Sequence, residues 1–292
     1  ISNKYFSRIV WRNENGQKEK TIALRTDKKS VAIIRNNAVT KIEDSIKEGD
    51  NYSFPWLNDD GKVKLVKVSI KDAYEISKFF LQKRIDDGDK VVGKKIGVTS
   101  KVVQEMLGVH QPDFGFLTSS MQYPNNAKIK IEDLLIQPRA EGEIAFILSN
   151  DLSGPGITDQ DVKDSTANIV PCFEIVDSRI KDWKIKIEDT VADNASCGVF
   201  VLGDERIDVT NLDLANLELK MYKNDNLISS GKGSAVQGNP YQAVAWLANT
   251  LGELGIPFLS GEIILSGSLV PLEPVQAGDQ MRLTLGDLGS AQ

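Results

Sequence analysis

The stretch that most constrains this sequence is Arg139–Leu148, whose second half is apolar and which is followed by a turn-rich segment at 150–156. This pattern predicts a β-strand. Because alternate side chains of a strand point to opposite faces, Glu141 and Glu143 lie on the same face. Two neighbouring carboxylates repel each other and are costly to bury unless a cation lies between them. The strand therefore carries either a solvated acidic face or a cation site.

A third carboxylate, Glu174, lies inside a second apolar run at 169–176. An acidic residue in such a run needs a compensating partner if it is buried. A hard divalent cation held by oxygen ligands would compensate all three carboxylates. Paired acids are also common on the exposed faces of strands. From these residues alone, a metal site and a solvated strand face both remain open.

The composition narrows the chemistry that the chain can perform. The one histidine, His110, lies in a turn-like segment at 108–112 and is interpreted as a surface loop residue. A single histidine excludes His-rich zinc sites, and any Ser-His-Asp triad would depend on it. The only cysteines, Cys172 and Cys197, predict neither a disulfide framework nor a structural zinc site and suit a reducing cytoplasm. Acid–base chemistry is left to carboxylates, lysines or metal-bound water.

Charge and hydropathy bear on location and partners. No apolar run approaches the roughly 20 residues that span a membrane, and the N-terminus lacks a secretory signal pattern, so we expect a cytoplasmic protein. The net charge is −6, with a basic excess in residues 1–67 and an acidic excess in the rest. No nucleic-acid motif accompanies the basic excess, which we therefore interpret as a solvated surface.

Local signals predict an α+β fold rather than βαβ winding. Ser69 and Asp72 form an N-cap pair that opens a helix to about Asp86, and Asn239 with Pro240 opens another through Leu254. The other predicted elements are a hairpin with its turn at 13–16, a strand at 91–98, a loop at 111–115, a capped helix beginning at Thr158, a hairpin over 217–229, and strands at 262–266 and 280–285.

A series of short motifs, taken in order, resembles the hydratase/decarboxylase branch of the fumarylacetoacetate hydrolase superfamily. Each motif alone is weak, but the set is specific and covers about residues 68–290. The motifs are 92–100, 111–115, 139–143, 174–180, 189–196, 229–234, 245–248 and 265–269. The resemblance implies a mixed β-sheet roll of this family's C-terminal-domain type, with a few flanking helices and a smaller N-terminal region.

The resemblance also implies a division of the chain. Residues 68–292 are the expected metal-dependent catalytic domain, and residues 1–67 are an N-terminal region of which 1–38 have no clear counterpart in the family. Relatives continue beyond the position of Gln292 into a last strand, so that strand is expected to be absent or replaced.

The same resemblance implies roles for individual residues. Three carboxylates of the family bind Mg²⁺ or Mn²⁺, and they map onto Glu141, Glu143 and Glu174. The active-site lysine maps onto Lys95, and the loop acid that handles the proton or the water maps onto Asp113. The residues expected to hold the substrate by hydrogen bonds are Asn194, Ser196 and Ser268.

Strand alternation separates the two neighbouring lysines of the strand at 91–98. Lys95 lies close to the metal in the implied site, so burial and the cation are expected to lower its pKa. Lys94 points to the opposite face, where a lysine is usually solvated, and its substitution is expected to matter far less.

The implied activity is hydration of 2-hydroxypenta-2,4-dienoate, through a 2-oxo-3-enoate, to 4-hydroxy-2-oxopentanoate in the meta-cleavage catabolism of aromatic compounds. The implied enzyme is a homo-oligomer that associates with neighbouring pathway enzymes. The alternatives are 4-oxalocrotonate decarboxylase, a hydratase of a longer 2-oxo-dicarboxylate, a C–C hydrolase of the superfamily, and a non-catalytic partner subunit. The stretches at 189–196 and 230–234 favour the hydratase, and the intact acidic residues and Lys95 speak against the partner subunit.

Overall fold

The computed structural model describes residues 6–13, 16–23, 68–100, 104–105 and 109–292, together with Val39, Thr40, Glu43 and Lys47. The chain divides into two compact units, Ile1–Lys67 and Val68–Gln292. In the first unit, β1 (Phe6–Asn13) and β2 (Gly16–Ala23) form the predicted antiparallel hairpin, which is confirmed. Residues 24–38, part of the segment without a family counterpart, lie outside the described residues.

The second unit is built on two β-sheets. Its strands are β3 (Val91–Gly97), β4 (Asp113–Thr118), β5 (Gln122–Tyr123), β6 (Arg139–Leu148), β7 (Thr166–Val176), β8 (Cys197–Leu202), β9 (Glu218–Lys223), β10 (Asn226–Lys232), β11 (Ile263–Leu265), β12 (Glu273–Pro274), β13 (Met281–Leu285) and β14 (Gly289–Ala291). Eight of them form one sheet in the order β4-β3-β11-β6-β7-β8-β5, with β12 pairing with β6. The pairs β3–β11 and β5–β8 are parallel and the others are antiparallel, so this sheet is mixed.

The remaining strands form a four-stranded antiparallel sheet in the order β10-β9-β13-β14. Its strands β9 and β10 are the hairpin predicted over 217–229, which is confirmed. Leu219, Met221, Leu283 and Leu285 of this sheet are fully buried and pack in the main core with Phe146 and Phe173 of the larger sheet. The core therefore lies between one face of the eight-stranded sheet and the smaller sheet.

A few helices flank the sheets. They are α1 (Ile70–Asp86), α2 (Ile131–Leu134), α3 (Asp159–Asp164), α4 (Ile187–Ala192) and α5 (Pro240–Glu253). The predicted starts of α1, α3 and α5 are confirmed, because Ser69 and Thr158 form capping boxes with the acid three residues on, and Asn239 accepts a hydrogen bond from Tyr241 N. Helix α5 buries the apolar face that closes the main core. None of the described helices is long and apolar enough to cross a membrane.

The other face of the large sheet carries a second, smaller apolar cluster. Leu117, Ala145, Cys172, Phe200 and Leu265 belong to it. Strand register places Cys172 opposite Glu143 and Phe200 opposite Glu174, so the predicted acidic residues emerge among these buried side chains. The acidic face of β6 and β7 is thus an interior face, and the interpretation as a solvated strand face is wrong.

Two local predictions are also corrected. Asp113 begins β4 instead of lying in a loop, because β4 pairs with β3 and Asp113 lies opposite Gly97. Lys94 does point to the opposite face from Lys95, but it is buried instead of solvated. At the end of the chain, Gly289–Ala291 form β14 on the edge of the smaller sheet.

Candidate metal centre and substrate cavity

Strand pairing brings the three predicted metal ligands together. In the register of β6 and β7, Glu141 lies directly opposite Glu174, and Glu143 lies two residues along the same face of β6. One carboxylate oxygen from each of the three residues lies within 4.8 Å of the others. Glu143 and Glu174 expose none of their surface. Among the described residues this is the group of acidic, histidine and cysteine side chains arranged to hold a metal ion.

The electrostatics of this cluster call for a cation. Burial, and then the charge of Glu174, raise the pKa of Glu141 to about 8. The same causes raise the pKa of Glu143 well above its usual value. Glu143 Oε2 accepts a hydrogen bond of 2.9 Å from Gly267 N, whereas Glu143 Oε1 and Glu174 Oε2 have no partner and Glu174 Oε1 has the ion pair with Lys95. Buried carboxylate oxygens without donors are costly, and oxygen ligands of this kind suit a hard divalent cation.

Lys95 supplies the positive charge that the chain itself brings to the cluster. Its Nζ lies 3.1 Å from Glu174 Oε1 and donates a hydrogen bond of 2.9 Å to Ala195 O. Burial alone would lower the pKa of Lys95, but the charges of Glu174 and Glu141 outweigh burial and raise it above its usual value. In this arrangement Lys95 is a charged hydrogen-bond donor, and a pKa lowered by burial and a bound cation stays a prediction.

Asp113 lies next to Lys95 at the edge of the cluster. It is buried, and Oδ2 accepts a hydrogen bond of 2.9 Å from Thr190 Oγ1. Burial raises the pKa of Asp113, although Lys95 and the Thr190 hydroxyl oppose the rise. A Cβ atom at Gly97 would lie 2.2 Å from Asp113 Oδ1 and 3.5 Å from Lys95 Nζ. Only glycine at position 97 therefore lets both groups approach this point.

Lys95, Asp113 and Glu141 line a cavity of about 440 Å³. Its other polar lining residues carry hydroxyl groups and are Thr99, Ser100, Thr190, Ser196 and Ser268. The apolar part of the wall contains Val98, Val176, Ile185, Leu269, Val270 and Leu272. The cavity is large enough for a small organic acid, with its charged groups at the acidic and basic side chains and its carbon chain against the apolar wall.

The three predicted substrate-binding residues divide into two groups. Ser196 and Ser268 line the cavity. Ser196 Oγ is buried without a hydrogen-bond partner, whereas Ser268 Oγ donates to Val270 O at 2.7 Å. The Asn194 side chain lines a separate, smaller hollow, and its amide bonds the backbone of Phe116 at both ends. The structure therefore does not bring the Asn194 amide into the cavity, and this prediction is corrected.

Three groups in the site were missed from the sequence. Thr190 holds Asp113, Ala195 O holds Lys95, and Gly267 N holds Glu143. Two of them are backbone atoms, which no side-chain pattern reveals. Thr190 lies in the stretch at 189–196, whose density of small polar residues was the only signal in the sequence.

The residues from β3 to the end of the chain define the family. Residues 92–292 match the family described as Fumarylacetoacetate (FAA) hydrolase C-terminal, and the chain belongs to this family. The predicted fold, a mixed β-sheet roll with a few flanking helices, is confirmed by this match together with the observed sheets.

Individual relatives narrow the comparison. The chain is 60% identical over 225 residues to 2-hydroxyhexa-2,4-dienoate hydratase of Comamonas testosteroni. The matched residues are 77% of this chain and 85% of that protein. It is 59% identical over 189 residues to 2-hydroxypent-2,4-dienoate hydratase of Pseudomonas putida. Here the matched residues are 65% of this chain and 85% of that protein. Among solved structures, 4-oxalocrotonate decarboxylase from Pseudomonas putida G7 complexed with magnesium and adipate matches with a TM-score of 0.75 and 30% identity, over 87% of this chain and 94% of that chain.

Proposed function

We propose that this chain is a metal-dependent hydro-lyase that adds water to 2-hydroxypenta-2,4-dienoate, or to a close homologue with a longer uncharged tail, in the meta-cleavage catabolism of aromatic compounds. The observation that carries the proposal is the cluster of Glu141, Glu143 and Glu174 beside Lys95, in which Glu141 and Lys95 line the cavity. Relatives at 60% and 59% identity that are named as dienoate hydratases support the choice of reaction.

The three glutamates would hold Mg²⁺ or Mn²⁺. Two buried carboxylate oxygens, Glu143 Oε1 and Glu174 Oε2, have neither a hydrogen-bond donor nor an ion-pair partner among the described residues, and a divalent cation would supply one. When bound, the cation neutralises the carboxylates, attracts the carboxylate and 2-oxygen of the substrate, and stabilises negative charge on that oxygen.

Lys95 and Asp113 carry the proton chemistry of the proposal. The 2-hydroxyl gives its proton to the Asp113 carboxylate, and the Lys95 ammonium donates a hydrogen bond to the 2-oxygen and stabilises the enolate that results. Asp113 gives a proton to C5, which leaves a C3–C4 double bond conjugated with the C2 carbonyl. Water then adds, its oxygen bonding to C4 and its proton going to C3, to give 4-hydroxy-2-oxopentanoate. Ser196 and Ser268 orient the substrate in the cavity.

A second candidate is decarboxylation of 4-oxalocrotonate, because the solved decarboxylase shares the fold at 30% identity. Its substrate carries a second carboxylate at the far end of the carbon chain. Among the described residues that line the cavity, Lys95 is the one cationic side chain, and most of the others are apolar. A second carboxylate would therefore find no second cationic side chain among these residues to compensate its burial, which is costly. The described lining favours a substrate with an uncharged tail.

The proposal is tested by incubating the purified chain with Mg²⁺ and each of the two substrates in parallel. We expect the absorbance of 2-hydroxypenta-2,4-dienoate to fall as 4-hydroxy-2-oxopentanoate forms, with little release of CO₂ from 4-oxalocrotonate. Removal of metal by EDTA should abolish hydration, and Mg²⁺ or Mn²⁺ should restore it. Full hydration after exhaustive chelation would contradict the metal site, and faster CO₂ release than hydration would favour the decarboxylase.

Assembly belongs to the same proposal. We expect a homo-oligomer that works on its own, with association to neighbouring pathway enzymes as an additional property. Light scattering on the purified chain measures the size of the oligomer. Turnover by the same sample distinguishes an enzyme from a non-catalytic partner subunit. An inactive chain that still binds Mg²⁺ would favour the partner subunit.

A further inference from the structure

The Thr190 hydroxyl lies within hydrogen-bond distance of two acceptors, the Asp113 carboxylate and a backbone carbonyl of α4. Thr190 is buried, and its Oγ1 lies 2.9 Å from Asp113 Oδ2 and 3.0 Å from Ile187 O. A hydroxyl group has one hydrogen, so it donates to only one of these acceptors at a time. An ionised carboxylate is the stronger acceptor. Thr190 therefore bonds Oδ2 most strongly when Asp113 is charged.

The two oxygens of Asp113 have different surroundings. Oδ2 is held by Thr190, whereas Oδ1 is buried without a hydrogen-bond partner. Oδ1 lies against Gly97 at the point that Lys95 Nζ also approaches, and Asp113 and Lys95 both line the cavity. Oδ2 is engaged by the Thr190 hydroxyl, so Oδ1 is the oxygen of Asp113 that has no hydrogen bond to the described residues.

We propose that Thr190 is a positioning residue, whose hydroxyl holds Oδ2 of Asp113 and leaves Oδ1 as the oxygen that exchanges a proton with the substrate. This inference rests on the proposed function in so far as Asp113 is the acid that protonates C5. Proton transfer from Oδ1 to C5 leaves Asp113 as a carboxylate, which Thr190 then stabilises through Oδ2. The arrangement follows the general pattern in which a third group orients the acid or base.

Other groups around Asp113 also set its proton affinity. Lys95 on β3, Glu141 on β6 and Tyr74 on α1 interact with it electrostatically. Removal of the Thr190 hydroxyl leaves these three in place. Because the hydroxyl favours the ionised carboxylate, its loss should raise the pKa of Asp113 further.

The test compares Thr190→Val, which keeps the branched shape without the hydroxyl, with Thr190→Ser, which keeps the hydroxyl. With the Mg²⁺-loaded protein and 2-hydroxypenta-2,4-dienoate, Thr190→Val should lower kcat by about 10–100-fold with little change in KM. The limb of the pH profile that belongs to Asp113 should move to higher pH. Thr190→Ser should recover most of the rate and the position of the limb. A purely structural role would lower the rate without moving the limb.

Two further measurements make the outcome decisive. In the Asp113→Asn background, Thr190→Val should have little additional effect, because a residue that acts through Asp113 loses its role with it. A titration of ¹³C-labelled aspartate, assigned with Asp113→Asn, reads the pKa of Asp113 without any turnover. An unmoved Asp113 titration in Thr190→Val, or additive losses in the double variant, would overturn the inference. If the unmodified protein fails to hydrate the dienoate, the proposed function fails, and the carboxyl titration still decides the role of Thr190.

Discussion

Asn194 and Phe116 bond each other twice: Phe116 N donates to Asn194 Oδ1 at 2.8 Å, and Asn194 Nδ2 donates to Phe116 O at 2.9 Å. This pair fixes the loop after α4 to strand β4. The loop is a left-handed turn, with φ of 56° at Asn194, 51° at Ala195 and 53° at Ser196. It presents Ala195 O to the ammonium of Lys95 at 2.9 Å. The Asn194 amide therefore supports the turn that positions Lys95.

Substitution of Asn194 should accordingly affect the rate more than substrate binding. Asn194→Ala removes both bonds to Phe116 and places alanine at a positive φ, which asparagine tolerates better. We expect kcat to fall by about 10-fold or more with little change in KM. Steady-state kinetics with the dienoate measure both. Ser196→Ala is the matched comparison from the same turn, since Ser196 lines the cavity and its loss should raise KM. A raised KM and an unchanged kcat in Asn194→Ala would instead indicate contact with the substrate.

Lys95 should be essential for turnover but not for metal binding. Lys95→Ala removes the charged donor that faces Glu174 and the substrate oxygens, and we expect turnover to fall by about 10²–10⁴-fold. Calorimetric titration with Mg²⁺ should still show binding, because the three glutamates remain. Lys90→Ala, at an exposed position just before β3, is the control and should keep full activity. Turnover within a few fold of the unmodified protein in Lys95→Ala would contradict the assigned role.

Lys94 should matter for stability instead of chemistry. Its ammonium forms a buried ion pair with Glu262, donates to Pro257 O at 3.1 Å, and lies 5.3 Å from the centre of the Phe258 ring. Lys94→Ala would leave the Glu262 carboxylate unpaired, so we expect a loss of about 3–5 kcal/mol in the free energy of unfolding, measured with urea. The double variant Lys94→Met/Glu262→Gln removes both charges and should recover much of this loss. Equal stability of Lys94→Ala and the unmodified protein would rule out the ion pair as a structural support.

The ionisation of Asp89 should make the free energy of unfolding depend on pH, independently of the metal centre. Burial would raise the pKa of Asp89, but hydrogen bonds from Ser120, Thr118 and Ser119 outweigh burial and hold it below its usual value of 3.8. The folded state therefore favours the ionised form, which adds stability above pH 3.8 that is lost as the pH falls below it. We expect Asp89→Asn to unfold about 1–2 kcal/mol more easily at pH 7, and the difference to narrow below pH 3.8. Asp87→Asn, at an exposed position, should show no such narrowing.

Residues 1–38 should be peripheral to the chemistry. The family match begins at residue 92, and the residues of the proposed site lie between Lys95 and Ser268. Deletion of residues 1–38 should leave Mg²⁺ binding and hydration largely intact, as measured by calorimetry and by the dienoate assay. Light scattering on the same sample shows whether the oligomer survives. A truncated chain that folds and keeps its assembly but no longer turns over would show that residues 1–38 contribute to the site.

Much of the local structure follows directly from the sequence. Strand β6 and helices α1 and α5 were predicted because alternation, N-caps and an N-terminal proline are short-range signals that act within a few residues. Strand β4 was not predicted, and the loop predicted at 111–115 overlaps its start, because these residues become a strand only through pairing with β3. Helix α4 was missed because the residue before it, Lys186, is not a typical N-cap residue and its six residues are too few for an apolar stripe.

The sequence by itself determined that Glu141 and Glu143 share one strand face and that Lys94 and Lys95 do not, because alternation is a property of a single strand. Only the tertiary structure decided that Glu174 lies opposite Glu141, that Lys95 bonds Ala195 O, and that the Asn194 amide bonds the backbone of Phe116. These relationships depend on strand register and on backbone atoms brought together from distant parts of the chain. Local propensity does not encode either one, because both are fixed by packing that only the complete fold supplies.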